Sequence, residues 1–184
     1  GTASITANAI GNTMGNFHCF AGQAICMGLT TVVSQCVGAG AYDRARYYMK
    51  KLSLATYAVM AVVNLALILA IPLILLVYDV APEAAVLARE VMLLHGGSAI
   101  LLWVPSFMIP YFLRAAGDAP FTMVASMLTM WLVRVLGAYV LGRYLGYGVV
   151  GVWFAHAILD WATRSVIFYV RYRSGKWEKM AIRS

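Results

Sequence analysis

Charged residues are scarce in this chain of 184 residues: they make up 11% of the sequence, while hydrophobic residues make up 62%. The mean hydropathy of +0.79 is too high for a soluble domain of this length and indicates an α-helical protein of the lipid bilayer. The net charge of +7 comes mostly from basic residues at the ends of apolar runs, which indicates contact with anionic lipids. We therefore expect the bilayer, and no nucleic acid, as a partner.

Motifs for catalysis or metal binding are absent from the sequence. Its three cysteines, Cys19, Cys26 and Cys36, form no Cys-x-x-Cys pair, so neither a zinc site nor a disulfide framework is expected. There is no nucleophile with a base, no phosphate-binding glycine loop and no His/Cys cluster, since the three histidines are scattered among different apolar runs. His95 is expected to be solvated near the external end of its run. The sequence predicts no enzyme activity, no catalytic residue, no bound cofactor and no metal.

Long apolar runs dominate what the sequence does contain. Five of them are long enough to cross a bilayer, which requires about 20 helical residues. Basic and non-basic connections alternate between the runs, with Arg143 as the one residue against the pattern, so the amino-terminal end is predicted to be outside and the carboxyl terminus cytoplasmic. The runs cover residues 5–37, 48–78, 85–113, 121–142 and 148–171.

We assign residues 1–172 to a membrane bundle and residues 173–184 to a basic cytoplasmic tail. The tail contains Trp177, one of the aromatic residues near the run ends that favour the membrane interface. Two interpretations of the tail remain open: a short segment that lies on the membrane surface, or a solvated end.

Three amides recur in the first run. Asn8, Asn12 and Asn16 are spaced by four residues, so they share one helix face, with Gly11 and Gly15 beside them. Side-chain amides next to Gly-x-x-x-Gly are typical of tight helix packing in lipid. The alternative is that the amides face a central cavity and hydrogen-bond a substrate or water.

The third run contains two prolines, Pro105 and Pro110, each of which removes a backbone hydrogen bond and favours a bend. The freed carbonyl groups must face protein or a wet cavity, because lipid offers them no partner. Trp103, Ser106 and Tyr111 lie in this part of the run. Its aromatic surfaces suit flat lipophilic cations, and ordinary packing of aromatic residues in a bundle is the alternative.

Charged residues inside the runs form a second group of candidates. His156, Asp160 and Arg164 are spaced by four in the fifth run and share one face. At about 1.5 Å per residue from the cytoplasmic end, Asp160 is about 18 Å deep and Arg134 of the fourth run about 20 Å deep, so the two can meet. An intramembrane ion pair of Arg134, Asp160 and Arg164 is either structural or part of ion coupling.

Four stretches of sequence together suggest a family. In residues 22–46, a helix of small residues with Gln35 ends at Gly-Ala-Gly and continues into Arg-x-Arg. The other stretches are residues 113–118 (Leu-Arg-Ala-Ala-Gly-Asp), residues 131–134 with Tyr139, and residues 148–153 followed by 159–164. In this order they resemble the multidrug and toxic compound extrusion (MATE) antiporters.

The resemblance implies a fold of twelve helices in two six-helix lobes, of which this chain matches the second lobe from its second helix onward. The resemblance also implies that the first half of the transporter and one helix of this lobe precede residue 1. The chain begins without Met, so we expect it to be part of a longer protein. The resemblance implies an antiporter of the plasma membrane that exports small organic compounds in exchange for H⁺ or Na⁺. It favours the cavity interpretation for Asn8 and Asn12.

One family feature is missing. Many members with a cation site in this lobe carry an acid on the bent third helix, whereas residues 101–112 contain none. Two alternatives to drug export stay open: a lipid-linked-sugar flippase of the same superfamily, with Arg134 as the candidate phosphate ligand, and a membrane scaffold that transports nothing.

Overall fold

Seven helices make up the regular structure of residues 1–181, the part of the chain that the computed structural model describes. The predicted all-α fold is therefore confirmed. The helices are α1 (Thr2–Gly38), α2 (Tyr42–Leu69), α3 (Ile71–Tyr78), α4 (Pro82–Ala115), α5 (Ala119–Tyr144), α6 (148–173) and α7 (Lys176–Ala181).

Helices α1, α2, α4 and α5 are each long and apolar enough to cross a membrane. Helix α6 forms at the fifth predicted run and continues without a break. Its hydropathy is lower than that of the other four because its middle carries His156, Asp160 and Arg164. Large apolar side chains cover much of the outer surface, as expected for a bundle that lies in lipid.

The prediction that residues 48–78 form one continuous helix is wrong. Helix α2 ends at Leu69, and α3 starts after a turn at Ala70. Pro72 explains the break, since it has no N–H to continue the α2 hydrogen-bond ladder and suits the first turn of a new helix. Asp79 then ends α3 in the left-handed conformation, with φ of 46°, which aspartate tolerates better than most residues.

Several long helices contain π-helical segments. In α4 this segment is Val104–Met108, so the backbone around Pro105 remains helical with a changed hydrogen-bond pattern. The others are Met130–Val135 and Val140–Tyr144 in α5 and Ala155–Asp160 in α6. Such segments are frequent at functional sites, and two of these contain Arg134 and Asp160.

The core consists of two apolar clusters, with α1 packed against α2 and α4 through both. One cluster, around Ile10, Ile71 and Met92, joins the start of α1 to α3 and α4. The larger cluster is built around Trp103 and Trp161 and extends to the other end of the bundle. Between the two clusters lies a layer of polar side chains.

The tail packs against the bundle. Helix α7 places Trp177 in the larger cluster, where its side chain is completely buried. Its ring contacts Phe112 with a centroid distance of 4.9 Å, and its Nε1 donates a hydrogen bond to the carbonyl oxygen of Tyr172 at 3.2 Å. Glu178 pairs with Arg46. Trp177 is therefore packed against the bundle and not solvated, whereas Lys176 and Lys179 of the tail are exposed. The last three residues, 182–184, lie outside the described part of the chain.

Candidate functional site

A cavity of about 320 Å³ opens in the polar layer between α1, α4, α5 and α6. Three amides on α1 form one wall: Asn12, Asn16 and Gln23. Trp103 and Phe107 of α4 contribute aromatic surface. The opposite wall carries Trp153, His156, Trp161 and Arg164 of α6 together with Arg134 of α5.

The two interpretations of the α1 amides apply to neighbouring faces of the same helix. Gly11 lies against α4 and α6 so closely that an added Cβ would come within 2.6 Å of Val91 Cγ1 and 2.8 Å of Trp153. Asn12 and Asn16 point to the cavity instead. Asn8 is beyond it, and its Oδ1 accepts a hydrogen bond from Trp153 Nε1 at 3.1 Å.

The three candidates on α4 have different surroundings. Trp103 lines the cavity, although only 1% of its surface is exposed, and its ring stacks on Phe107 with a centroid distance of 5.3 Å. Ser106 is buried, and its hydroxyl donates to the carbonyl oxygen of Trp161 at 2.9 Å. Tyr111 lies away from the cavity, 4.5 Å from the Arg114 guanidinium. The geometry thus places only Trp103 of the three on the cavity wall.

Arg134 and Asp160 meet across α5 and α6. Arg134 Nη2 donates to Asp160 Oδ2 at 2.6 Å, and Nε donates to the same oxygen at 3.0 Å. The Asp160 side chain is completely buried, while 28% of the Arg134 side chain is exposed. The carboxylate therefore balances one guanidinium on the cavity wall.

Arg164 is not part of that ion pair. Its Nη2 donates to Ser126 Oγ at 3.3 Å, and its guanidinium lies 4.8 Å from the centre of the Phe107 ring. The expectation of a three-member ion pair is wrong in this respect, because the Arg164 side chain extends toward α4 and α5. The wall of the cavity therefore carries two guanidinium groups, while the carboxylate that pairs with Arg134 is completely buried and does not line the cavity.

Another buried ion pair was not predicted. Arg171 of α6 donates to both carboxylate oxygens of Asp118, at 2.6 and 3.0 Å, and the Asp118 side chain is completely buried. Asp118 lies in the turn between α4 and α5. The Gly-Asp motif at residues 117–118 indicated this turn. The sequence did not show that Asp118 pairs with Arg171 on a distant helix.

The three histidines lie in different helices, as the sequence indicated, but the fold brings them close together, which the sequence analysis did not predict. His18 and His95 are buried, with 1% and 4% of their surfaces exposed, so the expected solvation of His95 is wrong. Their Nδ1 atoms lie 2.9 Å apart, and the rings of His95 and His156 are 5.9 Å apart at their centroids.

Counting residues from the ends of the helices would have predicted that the three histidines lie at similar depths. His18 and His95 each lie about 30 Å from the ends of their helices at Gly38 and Ala115, and His156 lies about 26 Å from the end of α6. The same count had brought Arg134 and Asp160 together, so the information was present in the sequence.

Three polar atoms around the cavity are buried without a hydrogen-bond partner among the described residues. They are Asp160 Oδ1, Trp161 Nε1 and Arg164 Nε. A buried polar atom without a partner is unfavourable by roughly 1–3 kcal/mol. The region around the cavity therefore contains buried donors and a buried acceptor whose hydrogen bonds are not made within the described residues.

Apolar helices around a polar cavity with buried charges define a multi-pass membrane protein of the transporter class. The MatE family matches residues 1–140, and the chain therefore belongs to this family of membrane transporters.

Two relatives support the assignment. The chain is similar to the uncharacterized transporter YisQ of Bacillus subtilis, with 27% identity over 184 residues that cover 96% of this chain and 38% of YisQ. It is 33% identical to the probable multidrug resistance protein NorM of Thermotoga maritima over 70 residues, which cover 38% of this chain and 15% of NorM. No significant match was found among solved structures. The chain thus spans well under half the length of both relatives.

Proposed function

We propose that this chain forms the carboxyl-terminal lobe of a secondary antiporter in the plasma membrane, which exports small organic compounds, often cationic, in exchange for H⁺ or Na⁺. An amino-terminal lobe would complete the transporter. The two lobes would open their shared cavity alternately to each side of the membrane. The start of α1 would face the outside and α7 the cytoplasm, as the alternation of basic connections indicates.

The polar face of α1 is the observation that carries the proposal. Asn12, Asn16 and Gln23 are exposed in this lobe, although α1 is apolar and long enough to cross the membrane. Amides that faced hydrocarbon would lose their hydrogen bonds to water without a replacement. This face therefore adjoins either a second lobe or water, as the lining of a transport pathway does.

The rest of the cavity suits a flat aromatic molecule. Trp103, Phe107 and Trp161 supply aromatic surface, which attracts cations and flat apolar molecules. Asp160 balances the charge of Arg134, which leaves Arg164 as the guanidinium without an ion pair on the described wall. A pyrophosphate-bearing lipid would need several such groups, so the cavity favours drug export over flipping of a lipid-linked sugar.

Uptake of ethidium into inverted vesicles that contain the complete transporter tests the proposal. We expect an imposed proton or sodium gradient to drive uptake. Asn12→Ala and Asn16→Ala should slow uptake because they remove hydrogen-bonding groups from the pathway. Thr13→Ala is the matched control, since the exposed Thr13 hydroxyl donates to Ala9 O within α1 and Thr13 does not line the cavity.

Folded transporter that moves no ethidium under either gradient would contradict the drug-export proposal. Movement of a labelled lipid-linked sugar by the same protein would then identify a flippase. Failure with both substrates would favour the scaffold alternative.

A further inference from the structure

The His18–His95 pair connects the two most closely packed helices of the bundle, α1 and α4. Both rings are buried, and their Nδ1 atoms are within hydrogen-bond distance of each other at 2.9 Å. The planes of the two rings are inclined by 20°, and their centroids are 5.2 Å apart, as expected for rings that meet edge to edge through this bond. Ionisable groups buried inside a membrane bundle are costly and usually functional, and nothing in the substrate pathway described above requires this pair.

The chemistry of this hydrogen bond limits how many protons the pair can hold. One proton must lie between the two Nδ1 atoms, so one ring donates Nδ1–H and the other accepts with its lone pair. An added proton can bind Nε2 of the donating ring, which becomes an imidazolium and donates a stronger, charge-assisted bond. A second added proton would put N–H groups on both Nδ1 atoms and break the bond. The bonded pair therefore takes up one proton.

The pair is accessible from the cavity through His95. The Cε1 and Nε2 atoms of this ring face Gly15, where an added Cβ would lie 3.4 Å from Cε1 and 3.6 Å from Nε2. His95 and His156 both line the cavity. A proton from the cavity can thus reach Nε2 of His95 directly or by way of His156.

The hydrogen bond between the rings favours the pair over His156 as the place for a bound proton, because an imidazolium in the pair donates a charge-assisted bond to the other ring. The charges of Arg134 and Asp160 largely cancel, and Arg164 shares the cavity wall with both His95 and His156, so its positive charge does not distinguish the two sites. On α2, Asn64 supplies a neutral amide, whose Nδ2 donates to the carbonyl oxygen of His18 at 3.1 Å. The titratable and charged groups around the pair are Cys19 of α1, Arg134 of α5, and His156, Asp160 and Arg164 of α6.

We propose that the His18–His95 pair is a proton-binding site, loaded through the cavity and His156, and that the coupling ion is therefore a proton. This inference rests on the proposed antiport function and identifies its ion. A proton on the pair and a cationic substrate in the cavity repel each other. Binding of one then favours release of the other, which is the condition for exchange.

Nuclear magnetic resonance tests the site independently of transport. The complete transporter, labelled with ¹⁵N-histidine and held in lipid, is titrated with acid. We expect one pair of rings to show ¹⁵N–¹⁵N coupling through the shared hydrogen and to take up a single proton together.

His18→Gln and His95→Gln should each abolish this joint titration, while the glutamine amide still offers hydrogen bonds that hold α1 to α4. His156→Gln is the control and should preserve it. Rings that stay neutral throughout, or that titrate independently, would overturn the proposal.

Ethidium transport tests the coupling role. We expect His18→Gln to lose proton-driven uptake and to retain ethidium exchange across vesicles without a gradient, since His18 belongs to the pair but does not line the cavity. Uptake driven by sodium alone, or loss of exchange in the folded variant, would overturn the assignment of the coupling ion to this pair. A wild-type transporter that moves no ethidium would instead contradict the proposed function, and the resonance experiment would still decide whether the pair binds a proton.

Discussion

At the scale of single residues, the Arg134–Asp160 pair is the most demanding feature of the bundle. Asp160 is completely buried, and both of its hydrogen bonds to Arg134 end on the same oxygen, Oδ2. A charge in such a site needs its partner, because neither lipid nor packed protein can replace water around it. The pair therefore contributes to the structure whether or not it also contributes to transport.

Asp160→Asn should destabilise the transporter by about 3 kcal/mol, since Arg134 would remain largely buried without a counter-charge. The control is the double variant Arg134→Met/Asp160→Leu, which removes both charges and should recover most of the loss. Thermal unfolding in detergent measures both effects. Equal destabilisation by the single and the double variant would show that packing volume, rather than charge, governs this site.

At the scale of helices, the contact of α1 with α4 depends on glycine where a tryptophan approaches the backbone. A Cβ added at Gly22 would lie 2.5 Å from Trp103 Cζ3, closer than real Cβ atoms come to their neighbours. Gly28, further along the same helix, has no heavy atom within 4 Å of its added Cβ. The two glycines therefore form a matched pair for one experiment.

Gly22→Ala should lower the free energy of unfolding by about 1–3 kcal/mol, because Trp103 or the backbone of α1 must move. Gly28→Ala should leave stability unchanged or raise it by up to about 1 kcal/mol, since alanine is the better helix former. Thermal unfolding of both variants under identical conditions provides the comparison. A Gly22→Ala variant as stable as Gly28→Ala would contradict the packing of α1 on α4 described above.

Helix positions were largely predictable because a membrane span is recorded in local composition. Apolar length alone located the five long helices, and the charged connections separated them. The break at Ala70 was missed because the run stays apolar across Pro72, so hydropathy does not change where the backbone does. The docking of Trp177 was missed for a related reason: whether an aromatic residue near a helix end meets lipid headgroups or protein depends on the neighbouring helices.

At the scale of the whole molecule, the arrangement of the candidate site depended on contacts between distant parts of the chain. Spacing by four residues correctly identified a shared face for Asn12 and Asn16, because that relation is local. Depth along the helices allowed Arg134 to meet Asp160. Neither argument could predict that Arg164 contacts Phe107 and not Asp160. The partner of Arg164 depends on how α4, α5 and α6 are rotated about their axes.

The central claim is that the amide face of α1 lines a transport pathway, and cysteine accessibility tests it most directly. In complete transporter with its native cysteines replaced, Asn16→Cys would be exposed to a membrane-impermeant thiol reagent with and without ethidium. The control is Phe17→Cys on the adjoining face, where Phe17 is 59% exposed and is expected to contact lipid. We predict that Asn16→Cys reacts, that ethidium protects it, and that Phe17→Cys does not react. An unreactive Asn16→Cys, or equal reaction at the two positions, would contradict the assignment of this face to the pathway.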